Sequence, residues 1–214
     1  MSRILSSWRT AAVALFFISV ASFASKHFVM PTARTANTYP AHDQHSDEKV
    51  TVGLDPYDMP DKASIFSVHY NEIGFIPIFV VVTNDGDQPI SLADTKAELV
   101  THDRTKIPSA TDDDLYRRIA KPIGGVSTTP LPFPKKPKGS ISKDAQEEIT
   151  NSQFAARAVE PHSTQSGFMF FDVAGIDTPL AGANFYLTGV RDSKGNELMY
   201  FEVPLEKYLS APQK

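Results

Sequence analysis

Six histidines are the residues best suited to metal or acid–base chemistry. His42-Asp43-Gln44-His45, followed by Asp47 and Glu48, puts two imidazoles among carboxylates within one short stretch. That stretch has no hydrophobic period, so a metal would have to order the peptide at its own expense, and it reads as solvated chain. His69, His102 and His162 lie far apart in sequence, and no His-Glu-x-x-His motif sets two of them on one helix face. His162-Ser163 would need a nucleophile elbow and an acid partner; the sequence has no Gly-x-Ser-x-Gly, so the pair reads as part of a turn. Asp112-Asp113-Asp114 lacks the Asp-x-Asp-x-Asp-Gly spacing of a calcium loop and suits a helix start. Gly124-Gly125 follows a predicted helix rather than a strand, which argues against a phosphate loop. The chain contains no cysteine, excluding disulfides, thiol catalysis and Cys-ligated metals. These residues therefore assign no catalytic group, metal or cofactor, and a non-enzymatic protein is expected. The remaining candidates are partner contacts: Arg117 and Arg118 at the end of a predicted helix, and Phe133, Lys135, Lys136 and Lys138 in the proline-rich run 126–139.

The elements that would position these groups are mostly strands. Phe75 to Val82 is an almost unbroken apolar, β-branched and aromatic run, as expected of a central strand. Pro77 inside it argues for an edge position or bulge at its start. Asn84 to Asp87 supplies turn residues, read as a hairpin leading to Ile90–Leu92. Lys49–Leu54 reads as a first edge strand and Ile65–Tyr70 as a second short strand. Lys96–Thr101 and Gly167–Val173 add further strands. Asn184–Val190 and Glu197–Val203 form the clearest hairpin, with Gly195 in its turn. Two helices interrupt the strands. Thr111 caps one, whose Leu115 and Ile119 share a face; Ser142 caps the other, predicted over Ile141–Arg157. The Gly167–Val173 strand is apolar on both faces, so Leu115, Ile141 and Ile149 of the insertion are expected to cover one of them.

The ends read differently. Arg3 and Arg9, the apolar run Ala11–Val20 and the small residues around Ala24 predict a signal peptide over 1–24. Residues 25–48 read as a disordered tether, 49–206 as one domain with the insertion at 103–157, and 207–214 as a tail. Hydrophobic residues at 41% permit a real core, and a net charge of −4 offers no field for nucleic acid or anionic lipid. Periplasmic or secreted localisation follows; the alternative is anchoring to the membrane by an uncleaved signal segment.

Four stretches together, GFIPIFVVVTN (74–84), AVEPHSTQSGFMFF (158–171), FYLTGVRD (185–192) and ELMYFEVPL (197–205), resemble uncharacterised secreted or lipoprotein-type bacterial proteins with an immunoglobulin-like β-sandwich. The chain departs from the lipoprotein members by having no signal-peptide cysteine. The resemblance implies a mainly β, antiparallel immunoglobulin-like sandwich carrying a partly helical, proline-rich insertion, and an extracytoplasmic setting; it brings no site residues. The function expected from the whole reading is an exported binding or structural domain of the bacterial cell envelope, contacting an unknown envelope protein or polymer through its insertion. The alternative is a periplasmic small-ligand or metal-binding protein using the scattered histidines.

Overall fold

The structure, a computed structural model, describes residues 27–120 and 141–212. It is mainly β, with antiparallel sheets and few helices. The first sheet joins β1 (Ala41–His45), β2 (Val50–Pro56), β3 (Phe75–Asn84) and β8 (Ser163–Asp172) in the order β1-β2-β3-β8. The second joins β5 (Lys96–Val100), β6 (Lys106–Pro108), β9 (Asn184–Thr188) and β10 (Phe201–Pro204) in the order β10-β9-β5-β6. A two-stranded pair, β4 (Ile90–Ser91) with β7 (Ala158–Val159), stands apart from both.

Strand β3 explains why its sequence is apolar throughout. Successive side chains point to opposite faces of a sheet. Ile76, Ile78, Val80 and Val82 enter a core shared with Leu99, Phe185, Leu187 and Phe201 of the second sheet. Phe75, Phe79 and Val81 enter a second core on the other face. All ten β3 residues are buried, the expected reading of a strand covered on both sides. The second core is built by α2 (Asp112–Ala120), α3 (Lys143–Ser152) and the aromatic side chains Tyr57, Phe66, Tyr70, Phe168 and Phe170. Leu115 and Ile149, both fully buried, supply the helical cover expected of the insertion. The strand face they cover carries Phe168 and Phe170; Phe171 and Met169 face the other core. Ile141 is only half-buried.

Several elements differ from their sequence reading. Part of the segment expected as a tether, 25–48, belongs to the fold. Strand β1 pairs with β2 along its length, His45 against Val50, and a 3-10 turn at Ala36–Thr38 lies flat on β2. A Cβ on Gly53 would sit 2.4 Å from the Ala36 carbonyl oxygen, so the two backbones touch. The Ala36 N–H bonds the Thr83 hydroxyl at 2.9 Å. Backbone docking of this kind leaves no hydrophobic period to read. It also makes β2 an interior strand rather than the expected edge.

Ile65–Tyr70 forms no strand. It links α1 (Pro60–Ala63) to a 3-10 turn at Tyr70–Ile73, and Phe66 packs edge-on to Tyr70 and Phe168 at 5.1 and 4.9 Å between ring centres. The Asn84 turn makes no hairpin: β4 pairs with β7 instead of β3. Buried Asn84 holds the corner, donating from Nδ2 to the Gln88 and Val159 carbonyls at 2.8 and 3.1 Å and accepting from the Gly86 N–H at 2.9 Å. Helix α3 stops at Ser152, short of Arg157, because Gln153 turns extended and bridges to Phe168 on β8.

The tail begins with helix α4 (Glu206–Leu209), which buries Tyr208. Pro77 lies inside β3 without losing a ladder bond. Its carbonyl accepts the Tyr57 N–H at 2.8 Å just beyond the last β2–β3 pair, Pro56 with Ile78. Nitrogen and carbonyl of one strand residue face the same side, so the missing N–H points past the end of β2. The predicted hairpin is present with shorter strands: β9 pairs with β10, which begins at Phe201 rather than Glu197, and Gly195 takes a φ of +85° in the connection.

Candidate functional site

Helix α2 begins as its sequence requires. Thr111 and Asp114 form a reciprocal cap: Asp114 N–H reaches the Thr111 hydroxyl at 3.3 Å, and the Asp114 carboxylate accepts the Thr111 hydroxyl and N–H at 2.7 and 3.0 Å. The hydroxyl bond, then the amide bond, holds the Asp114 carboxyl below its ordinary value. Acidic residues thus sit at the positive end of the helix dipole and Arg117 and Arg118 at the negative end.

The two arginines have different surroundings. Arg117 is largely exposed and, among the described residues, pairs with Asp114 at 2.9 Å. Arg118 is mostly buried: Nη2 pairs with Asp172 at the end of β8, Nη1 donates to the Ile73 carbonyl at 3.0 Å, and the guanidinium lies 5.0 Å over the Phe75 ring. Arg118 therefore fastens the helix to the sheet. Replacing it by alanine is expected to cost about 1–3 kcal/mol, with Lys unable to restore the forked contacts, while Arg117→Ala leaves the melting temperature unchanged. Thermal melts of the three variants check this; equal effects at 117 and 118 would contradict it.

Both arginines border an open hollow of about 480 Å³ lined by Phe75, Ile107–Ala110, Asp114 and Asp172. Phe133, Lys135, Lys136 and Lys138 lie outside the described residues, as does the segment 1–24 expected as a signal peptide. Among the described residues no helix is long and apolar enough to cross a membrane.

Helix α3 holds the one fully buried acidic side chain of the described residues, Glu148. Its carboxylate accepts the N–H groups of Ser67 and Val68 at 2.5 and 3.1 Å, so it pins the non-strand segment before β3 to the insertion. The Tyr70 hydroxyl is buried near this carboxylate without reaching hydrogen-bond geometry. Helical spacing puts Glu148, with Ala145, Ile149 and Ser152, on the buried face and Glu147 off it, but the amides that Glu148 serves are some 80 residues away and could not be read.

The histidines do not converge. His69 meets Glu72 and His162 meets Asp87, each at 3.2 Å on the surface, while His102 is exposed. His45 stacks on Phe201 at 4.0 Å, with one ring nitrogen 3.3 Å from Asp43 and the other 3.4 Å from Glu48. His42 Nδ1 lies 2.6 Å from the Tyr39 carbonyl. Among the described residues no three His, Asp or Glu side chains are placed to hold a metal.

A second and wider hollow, missed in the sequence, opens at the same end of the first sheet. It is lined by Ile76 and Val173, next in chain to Phe75 and Asp172 of the first hollow, by the 174–181 loop, and by Asp58, Glu72 and Leu209. Alternation along β3 and β8 puts the two hollows on opposite faces of the sheet.

No family model matches the sequence, and no curated protein matches it. Two solved structures align over much of its length. One is a Northeast Structural Genomics Consortium target, 10% identical over 79% of this chain and 97% of that chain, with a TM-score of 0.32. The other is a conserved hypothetical protein from Bacillus anthracis, 14% identical over 73% of this chain and 87% of that chain, with a TM-score of 0.28. At these scores neither likeness bears on function.

Proposed function

We propose that this chain is an exported, non-enzymatic binding or structural domain of the cell envelope, built as an immunoglobulin-like sandwich and contacting a protein or polymer partner through its insertion. The observation that carries this reading is the division of labour on α2. Its apolar face, Leu115, is sealed against the sheet, while Asp112, Asp113 and Arg117 are exposed and Arg117 borders the hollow together with the capping Asp114. Charged groups on a helix clamped by Arg118 form a surface that keeps its shape, as recognition from a rigid scaffold requires. The basic residues Lys135, Lys136 and Lys138 follow in the same insertion. Cleavage of residues 1–24 on export would deliver the domain to the periplasm or beyond.

The test is capture from envelope extract with the mature chain, comparing it with a variant in which Arg117, Lys135, Lys136 and Lys138 are all changed to Glu. A discrete component held by the first and lost by the second is the expected result. Identical capture by both would remove the insertion from the interface. Zinc or copper retained through purification would favour the histidine-based reading.

A further inference from the structure

The wider hollow lies on the other face of the sheet from the insertion's hollow, and its chemistry is different. It measures about 720 Å³, within the range of sites that hold a few side chains of a ligand. Its floor is aliphatic: Ile76, Val173 and Leu180 are buried beneath it, and Leu209 of α4 stands beside it with 39% of its surface exposed. Three carboxylates, Asp58, Glu72 and Asp177, line it, and no Lys, Arg or His does. Two are already engaged. Asp58 accepts the Tyr208 hydroxyl at 2.7 Å, and Glu72 meets His69 at 3.2 Å. Asp177 has no partner among the described residues. The nearby cation Arg118 is held by Asp172 and does not line this hollow.

We infer that this groove binds an extended peptide segment of another protein, seating an aliphatic side chain on the Ile76–Leu180 floor and a neighbouring Lys or Arg at Asp177. An uncompensated negative rim over an apolar floor selects a ligand that is apolar and cationic at once. The hollow is open to solvent rather than enclosed, which leaves room for a chain to lie across it. At Gly175 a Cβ would meet nothing within 4 Å, so another backbone has room to approach. The inference uses a hollow that no described residue of the insertion lines, and it stands apart from the function proposed above.

A fluorescent hexapeptide, acetyl-Leu-Lys-Val-Pro-Lys-Leu-amide, provides the probe, with a counterpart carrying Glu for both Lys. Anisotropy titrations against the full chain should show saturable binding of the basic peptide, at least about tenfold tighter than the acidic one and weakened by salt. Asp177→Lys, at an exposed loop position, should weaken it about tenfold with an unchanged melting temperature. Amide shifts in an NMR titration should fall on residues 173–181. Equal binding of both peptides, an Asp177→Lys variant that binds normally, or shifts confined to α2 would each overturn the inference. So would concentration-dependent dimerisation abolished by Ile176→Asp, which would give the groove to a second copy of the chain.

Discussion

Replacing Gly167 by alanine is expected to lower the melting temperature by roughly 6–12 °C, equivalent to about 3 kcal/mol in a chain of this size. A Cβ at this position would lie 2.4 Å from the Phe154 Cα, 2.6 Å from its nitrogen and 2.8 Å from the Gln153 carbonyl oxygen. All three are backbone atoms and cannot swing aside. They are also pinned. Phe154 N–H bonds the Phe168 carbonyl at 3.0 Å, and Gln153 bridges in parallel to Phe168. Relief of the clash must move the chain leaving α3, and with it Ile149, the fully buried cover of Phe168 and Phe170.

Gly175→Ala is the control. That residue has a φ of +82° and open space where its side chain would be, so alanine there meets only the backbone penalty of about 1 kcal/mol. Melts followed by circular dichroism compare the two, and a dye that binds exposed apolar surface reports loosening of the second core. Equal losses at 167 and 175 would mean that the crossing of α3's exit over β8 is not tight.

What could be read from the sequence was what local chemistry decides. Thr111 and Ser142 cap their helices because a hydroxyl meets an amide two or three residues on, a contact contained in a single turn. The β9–β10 hairpin followed from alternation and a turn glycine for the same reason. The apolar run in β3 announced a central strand, and the Gly167–Val173 run, apolar on both faces, called for a cover that helical spacing could name in Leu115 and Ile149, though Ile141 is only half-buried. Contacts between distant backbones could not be read. The seating of Ala36 on Gly53, the pairing of β4 with β7, and the two amides served by Glu148 each depend on which segments meet, not on what either segment prefers. The site followed the same division. Arg117 and Arg118 were legible as the basic end of a helix, but Asp172, which pairs with Arg118, lies 54 residues further on. The acidic groove was invisible because Asp58, Glu72, Asp177 and Leu209 come from four separate segments.

Alkali should unfold this protein steeply, beginning near pH 10. Tyr57 is pushed up to about 12 by burial, then by the charges of Asp55 and its neighbour Tyr39. Burial raises Tyr70 further, with the Glu148 charge next, and burial raises Tyr208, with its hydrogen bond to Asp58 next. All three are buried, whereas Tyr186, raised mainly by its bond to Glu202, is partly exposed and adds little. In the unfolded chain each tyrosine ionises near pH 10. Above that point the folded chain keeps protons that the unfolded chain has released, so stability falls as pH rises toward the folded values. Each group contributes about 1.4 kcal/mol per pH unit, and the three together about 4 kcal/mol, against the roughly 5–15 kcal/mol that holds a typical domain together. Urea midpoints measured from pH 9 to 12 should fall along this slope. Of the seven tyrosines, these three should ionise only as the chain unfolds, seen in ultraviolet titration. Tyr70→Phe should remove about a third of the slope with little cost at neutral pH, because its hydroxyl makes no hydrogen bond. Tyr208→Phe should remove a similar share but lower stability at pH 7 by about 1–3 kcal/mol, because it strips Asp58 of its donor. Seven tyrosines titrating together near pH 10 in a chain that stays folded would refute the burial on which the argument depends.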